Sequence, residues 1–231
     1  MVANKGIFIT AAIITVMLFI SIYSFNMFLN TQRERVVIER MEQVIDEYQE
    51  IQALSLMSDV FGKEMTCLSL EKRLAHMDKT LWDTGIKIDR YREVTEKFII
   101  DPFYLNQKKK FNRNEVIYLS MLKGMKDWCE FNQTVILYFY KKKEDCLHCD
   151  DQAFVLTDLN KEIDSEIAIF SFDSDLELPS IDTLELFYSI DSYPCIIIED
   201  DTYCSLHDKN QLTARLCDYR NLSICSWEKV K

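Results

Sequence analysis

"TVILYFYKKKEDCLHC", residues 134–149, decides how the chain is read. Its first seven residues are an unbroken apolar, β-branched and aromatic run, the pattern of a strand buried on both faces. Lys141 to Lys143 end it, and Cys146-Leu147-His148-Cys149 follows at once. Downstream, "DQAFVLTDLNKEI" reads as a helix and "IAIFSF" (167–172) as a second strand. Residues 179–190 read as a helix with Pro179 near its first turn and Ile181, Leu184, Leu186 and Phe187 as candidates for its buried face. "YPCIIIEDDTYCSL" reads as a hairpin turning around Asp200, and "DKNQLTARLCDY" as a closing helix. A strand, helix, strand passage of this length predicts a right-handed parallel βαβ unit, to which the hairpin adds antiparallel strands.

Upstream the pattern is helical. From Gly6 to Leu29 no residue is charged. At about 1.5 Å per residue this run is long enough to cross a hydrocarbon core of about 30 Å. The alternative is a cleaved signal peptide, against which stand the length of the run and the lack of a small-x-small site after it. Val37, Val44, Ile51, Leu54 and Met57 then recur at helical spacing, as expected of an amphipathic stalk that Gly62 breaks. Leu68, Leu70, Leu74, Met77, Leu81, Ile86 and Ile88 continue the spacing towards Phe98, with a bend expected at Gly85. Asp101-Pro102 closes that element. "QKKKFNRN" (107–114) reads as a charged loop, with Asn114 as N-cap of a helix over 115–130 that carries Val116, Leu119, Leu122 and Met125.

Composition limits the rest. Four glycines and three prolines disfavour a turn-rich all-β protein, and a net charge of −11 argues against binding to nucleic acid. Orientation across a membrane is contested. Arg33, Arg35 and Arg40 after the span weakly place the bulk in the cytoplasm. Eight cysteines, an even number, favour an oxidising, extracytoplasmic face. The latter is the expectation carried forward.

Residues 132 to about 220 resemble the thioredoxin fold. The resemblance rests on the strand "TVILYFY", the "CLHC" dithiol at the strand-to-helix turn, the Tyr193-Pro194 bond before an Ile-rich strand, and the closing hairpin and helix. It spans under half of the chain. Thioredoxins proper carry Trp before the first cysteine and Gly-Pro between the two; here stand Asp145 and Leu147-His148. Tyr140 occupies the place, six residues before the first cysteine, of their buried acid. His148 is similar to its counterpart in DsbA-type and protein disulfide isomerase-type enzymes. The expected fold class is therefore α/β: a transmembrane anchor (1–30), an α-helical stalk or module (31–131) and a thioredoxin-like domain with a central mixed sheet (132–231).

The resemblance implies chemistry that helix physics supports. A thiolate at a helix N-terminus is stabilised by unpaired amides and the positive dipole end, so its pKa falls from about 8.5 towards roughly 3.5–7.5. Cys146 would be the exposed attacking thiol, Cys149 the buried resolving thiol, and His148 a tuning donor. Lys141 to Lys143 favour the thiolate while Asp145, Asp150 and Asp151 oppose it, which predicts an intermediate potential. Tyr193 and Pro194, with the bond cis, would shape a groove for an extended substrate. The expected activity is thiol–disulfide exchange with protein substrates, without a cofactor. The alternative is a non-catalytic membrane-anchored scaffold whose CxxC is a structural disulfide.

The remaining cysteines have structural explanations. Cys195 and Cys204 face each other if the hairpin turns between Glu199 and Asp200; Cys217 and Cys225 close a short loop; Cys67 and Cys129 are left as a third pair. This is one among many connectivities. A zinc site built from the CxxC with Cys195, Cys204 or His207 lacks a second CxxC, so no metal is expected. His76 and His207 are expected on the surface. Further expected partners are the membrane, through the single span, and a second copy through the helical module.

Overall fold

The computed structural model describes residues 5–94, 101–129, 131, 133–163 and 166–225. Three long helices come first: α1 (Lys5–Phe61), α2 (Lys63–Val94) and α3 (Pro102–Cys129). The apolar run and the stalk form one uninterrupted helix, α1. Its apolar window is fully exposed within the chain. From Val37 onward one stripe becomes buried: Val37, Met41, Val44 and Ile51, with Tyr48 partly covered. These packing positions alternate four and three residues apart, as do Leu70, Leu74, Met77 and Leu81 on α2, which turns back at Gly62 (φ 93°) to meet them. Met57, Leu68 and Ile86, expected in the stripes, are exposed because they fall off that alternation. Phe98 and the side chains of Tyr91 and Val94 lie outside the described residues, as does Asn132, where the expected domain boundary falls.

Two expectations need correction here. Gly85 is no bend: α2 runs through it, and a Cβ there would lie 3.3 Å from the Phe111 ring, so the glycine lets α3 approach closely. The charged stretch 107–114 is no loop, and Asn114 no cap. Asp101 is the N-terminal acceptor instead: its side chain takes the Phe103 amide at 2.8 Å, and Pro102 needs no donor at the first helical position. Inward positions continue through the charged stretch as Tyr104, Lys108, Phe111, Glu115, Tyr118, Leu122 and Met125. Lys108 and Glu115 are buried there because they have distant partners.

Those partners are in the sheet. Strands β1 (Thr134–Tyr140), β2 (Ile167–Asp173), β3 (Cys195–Ile198) and β4 (Asp201–Tyr203) lie in the order β2-β1-β3-β4. β1 pairs parallel with β2 and antiparallel with β3, and β3 and β4 form the hairpin. This is a mixed sheet within a mixed α/β chain. Helices α4 (Cys149–Ile163), α5 (Pro179–Tyr188) and α6 (Lys209–Tyr219) complete it. One sheet face, with Val135, Leu137, Phe139, Phe170 and Phe172, shares a core with α3, α5 and the α1–α2 stripe. The other, with Ile136, Tyr138, Ile196 and Ile198, packs on Leu156 and Leu159 of α4 and Leu212 and Leu216 of α6. On α5, Ile181 is buried and Leu184 half-buried, but Leu186 and Phe187 point to solvent. The helix is short, and Ile181 and Tyr188 supply its buried face.

β2 is an edge strand, and α3 seals it. The Ser171 amide donates to Glu115 at 3.0 Å and the Asp173 amide to Asn112 at 2.8 Å, so two outward N–H groups that would otherwise template association are occupied. Lys108 adds a buried ion pair to Asp173 at 2.6 Å. Burial pulls the Lys108 ammonium down, yet Tyr140, Asp173 and Tyr104 outweigh it and hold the group well above the ordinary lysine range. Lys108→Met strands a buried carboxylate and is expected to cost about 3–5 kcal/mol, part of it recovered by adding Asp173→Leu, which removes the stranded charge but also the acceptor for the Asp175 amide. Denaturation midpoints of the full-length variants measure both; equal losses in the single and double variants would contradict the coupling.

Candidate functional site

The central strand delivers the cysteines. After Tyr140 the chain turns, with the Asp145 and Cys146 amides both donating to the Lys142 carbonyl at 3.0 Å. The Lys142 amide is itself held by the Asp175 carboxylate at 2.7 Å, and the Asp175 amide by Asp173 at 3.0 Å. The cysteine loop is thus linked by hydrogen bonds, through Asp173, to Lys108 of α3. Helix α4 starts at Cys149, and the Tyr138 hydroxyl donates to the Cys149 carbonyl at 2.5 Å from beneath.

Cys146 and Cys149 are joined in a disulfide, with S–S 2.01 Å and Cα–Cα 5.5 Å. The expectation of an exposed Cys146 is corrected: in the bonded state it keeps 4 % of its surface, and Cys149 keeps 3 %. Leu147 and His148 project outward instead, the former 77 % exposed. The His148 ring faces Asp151, Nδ1 to Oδ2 3.2 Å, and Lys142 pairs with Asp145 at 3.4 Å. Charges of both signs therefore surround the dithiol, with the helix N-terminus behind it.

Tyr193 and Pro194 stand opposite this loop. The Tyr193-Pro194 bond is cis. The β1–β3 pairing ends with Phe139 opposite Cys195, so Tyr140, where the cysteine loop begins, and Pro194 are the next residues out from that last pair. Lys141 of that loop lies 4.8 Å from the centroid of the Tyr193 ring. The Tyr193 hydroxyl donates to Glu185 of α5 at 2.7 Å. Burial, then the bond to Glu185, pushes the phenol up to about 12.

The other sulfurs join as Cys67–Cys129, Cys195–Cys204 and Cys217–Cys225. Cys195 and Cys204 bond to each other across the hairpin, so they do not form a zinc set with the CxxC. Among the described residues no group of three His, Cys, Asp or Glu side chains is placed to hold a metal. His76 is exposed and meets Glu47 at 3.3 Å. His207 is half-buried, and its backbone amide donates to Gln152 Oε1 at 2.8 Å. Gln152 is fully buried one turn beyond Cys149, and its Nε2 has no partner among the described residues. Sequence reading passed over Gln152 and Tyr138. Their signal was positional: a polar side chain three residues past the second cysteine, and a tyrosine inside an otherwise apolar strand.

No protein-family model matches the chain, and no curated protein matches it in sequence. Nine chains among the solved structures are similar, two of them as follows. One, described as a malarial protein, is 23 % identical over 39 % of this chain and 100 % of its own length, with a TM-score of 0.34. The other is thioredoxin-2, described as a component of the malaria parasite protein secretion machinery. It is 23 % identical over 38 % of this chain and 84 % of its own, with a TM-score of 0.33.

The raised Tyr193 phenol has a signed consequence. Folding holds its proton between about pH 10 and about 12, so its stabilising contribution is complete below about pH 10 and lost as pH rises through 12. Ultraviolet titration of wild type against Tyr193→Phe should show one phenol ionising near 12; a difference spectrum centred near pH 10 would contradict this.

Proposed function

We propose that the chain is a membrane-tethered thiol–disulfide oxidoreductase built on a thioredoxin-like unit. The observation that carries this reading is the placement of a bonded Cys146–Cys149 pair at the start of α4, at the C-terminal end of the central strand, facing the Tyr193-Pro194 turn. The strand order, with helices on both faces, supports the thioredoxin-like assignment. In that role residues 1–30 anchor the protein, 31–131 form the stalk and helical module, and 132–231 carry the chemistry. The module serves as spacer, dimerisation surface or substrate platform. Four disulfides favour the extracytoplasmic face.

In the reducing direction, the Cys146 thiolate attacks one sulfur of a substrate disulfide. A Cys146–substrate bond forms and the other substrate sulfur leaves as a thiolate, taking a proton. Cys149 then loses its proton and attacks Cys146, which restores the internal disulfide and releases the second substrate thiolate. The dithiol gives up two electrons and the substrate gains them. The oxidising direction is the same sequence reversed. Tyr193 and Pro194 shape the groove for the substrate chain, and His148 tunes the thiolate. Dithiol exchange itself requires no cofactor.

The burial of both cysteines favours a second reading, a non-catalytic anchored scaffold with an inert CxxC. Iodoacetamide labelling of the mildly reduced full chain separates the two. An oxidoreductase shows one thiol alkylated rapidly near about pH 6, lost in Cys146→Ser and kept in Cys149→Ser. A pair that resists reduction, or is alkylated slowly and only at high pH, establishes the scaffold.

A further inference from the structure

Gln152 presents a buried hydrogen-bond donor that the oxidised site leaves idle. The residue is fully buried on α4. Its amide orientation is settled by chemistry: the His207 backbone N–H is a donor only, so the atom it meets at 2.8 Å must be Oε1. The other atom, Nε2, then carries two N–H donors, and it has no partner among the described residues. An unpaired buried amide costs free energy, on the order of 1–3 kcal/mol, in the state that leaves it unpaired, and a state that pairs it is favoured relative to that one.

Helix geometry places Gln152 one turn beyond Cys149. Residues three apart on a helix are neighbours, with Cβ atoms roughly 5–6 Å apart. Helical side chains lean towards the N-terminus, so Gln152 covers the turn that holds Cys149. In the disulfide the Cys149 sulfur is a weak acceptor. When the Cys146–Cys149 bond opens, that sulfur becomes free to ionise, and a thiolate is a strong, charged acceptor. An interaction made in one redox state alone shifts the equilibrium towards that state.

We propose that Gln152 is a positioning residue that donates Nε2–H to the Cys149 thiolate, so that the resolving cysteine is ionised when it attacks the Cys146–substrate disulfide. The inference rests on the oxidoreductase reading and deepens it. The step stays balanced: the Cys149 sulfur forms the bond to Cys146, the substrate sulfur leaves with the electron pair of the broken bond, and Gln152 neither gains nor loses a proton. The His207 amide holds the carboxamide, and the His207 ring in turn meets the Ser205 carbonyl at 2.8 Å and packs edge-on to Tyr203. Other titratable groups near Cys149 are His148, Asp150 and Asp151 on its own turn, Asp145 in the preceding loop, Tyr138 beneath and His207 alongside; substitution at Gln152 leaves all of them in place.

The test uses the full chain in detergent. Gln152→Glu keeps the acceptor for the His207 amide but replaces the donor with a carboxylate, so a purely structural role survives it. The expected result is a shift of the Cys146–Cys149 equilibrium with glutathione towards the disulfide by about tenfold or more, equivalent to about 30 mV, with a smaller shift in the same direction for Gln152→Leu. A folded Gln152→Glu chain with the wild-type equilibrium overturns the proposal. Should the variants not fold, the thiolate absorbance of Cys149 in Cys146→Ser decides: ionisation below the ordinary value of about 8.5 supports the donor, and ionisation above it overturns it. A wild-type pair that never equilibrates with glutathione is a different outcome: it defeats the oxidoreductase reading itself.

Discussion

The burial of β1 on both faces is the constraint from which the rest of the structure follows. Six of its seven residues are buried, so it must lie inside the sheet with a layer of helix on either side. That requirement places α3 and α5 on one face and α4 and α6 on the other. It also brings the end of the strand, and the cysteines after it, out at one edge of the sandwich. A strand so apolar can be ordered only when both layers are present. The helices before it are therefore more than a tether, since α3 is one of those layers.

The polar contacts on α3 do what apolar packing cannot. Edge strand β2 would present free backbone donors; Glu115 and Asn112 take two of them, and Lys108 neutralises the buried Asp173. From Asp173 the hydrogen bonds continue through Asp175 to the Lys142 amide, and the Lys142 carbonyl receives the Cys146 amide. Lys108, one of the three α3 side chains that close the sheet edge, is therefore also linked to the base of the cysteine loop. Each link is short and the chain of contacts is contiguous from α3 to the loop.

Much of this was legible in the residues. The unbroken run of β1, the dithiol after it, and the hairpin with its turn after Glu199 all follow from local pattern and turn chemistry. The capping box of α6, Asp208 with Gln211 three residues on, was passed over in the sequence although its spacing is local. The first half of α3 was not legible by polarity, because Lys108, Asn112 and Glu115 are buried against a strand some sixty residues away. Period alone would have found it, since the inward positions of α3 keep their four-three alternation straight through the charges. Leu186 and Phe187 misled for the opposite reason: they are apolar, but their side of α5 is exposed among the described residues. At the site, the pairing of Cys146 with Cys149 was readable from spacing. The idle amide of Gln152 was not, because it depends on His207, brought over by the hairpin.

The dithiol sits amid opposing influences: a helix N-terminus and His148 on one side, and Asp145, Asp150 and Asp151 on the other. Neither extreme of potential fits such a setting. The redox equilibrium of the Cys146–Cys149 pair against glutathione, measured on the full chain, tests the central claim most directly. The account predicts reversible two-electron exchange with a potential between about −270 and −120 mV. A pair that does not exchange, or one poised below about −300 mV as structural disulfides are, would contradict it.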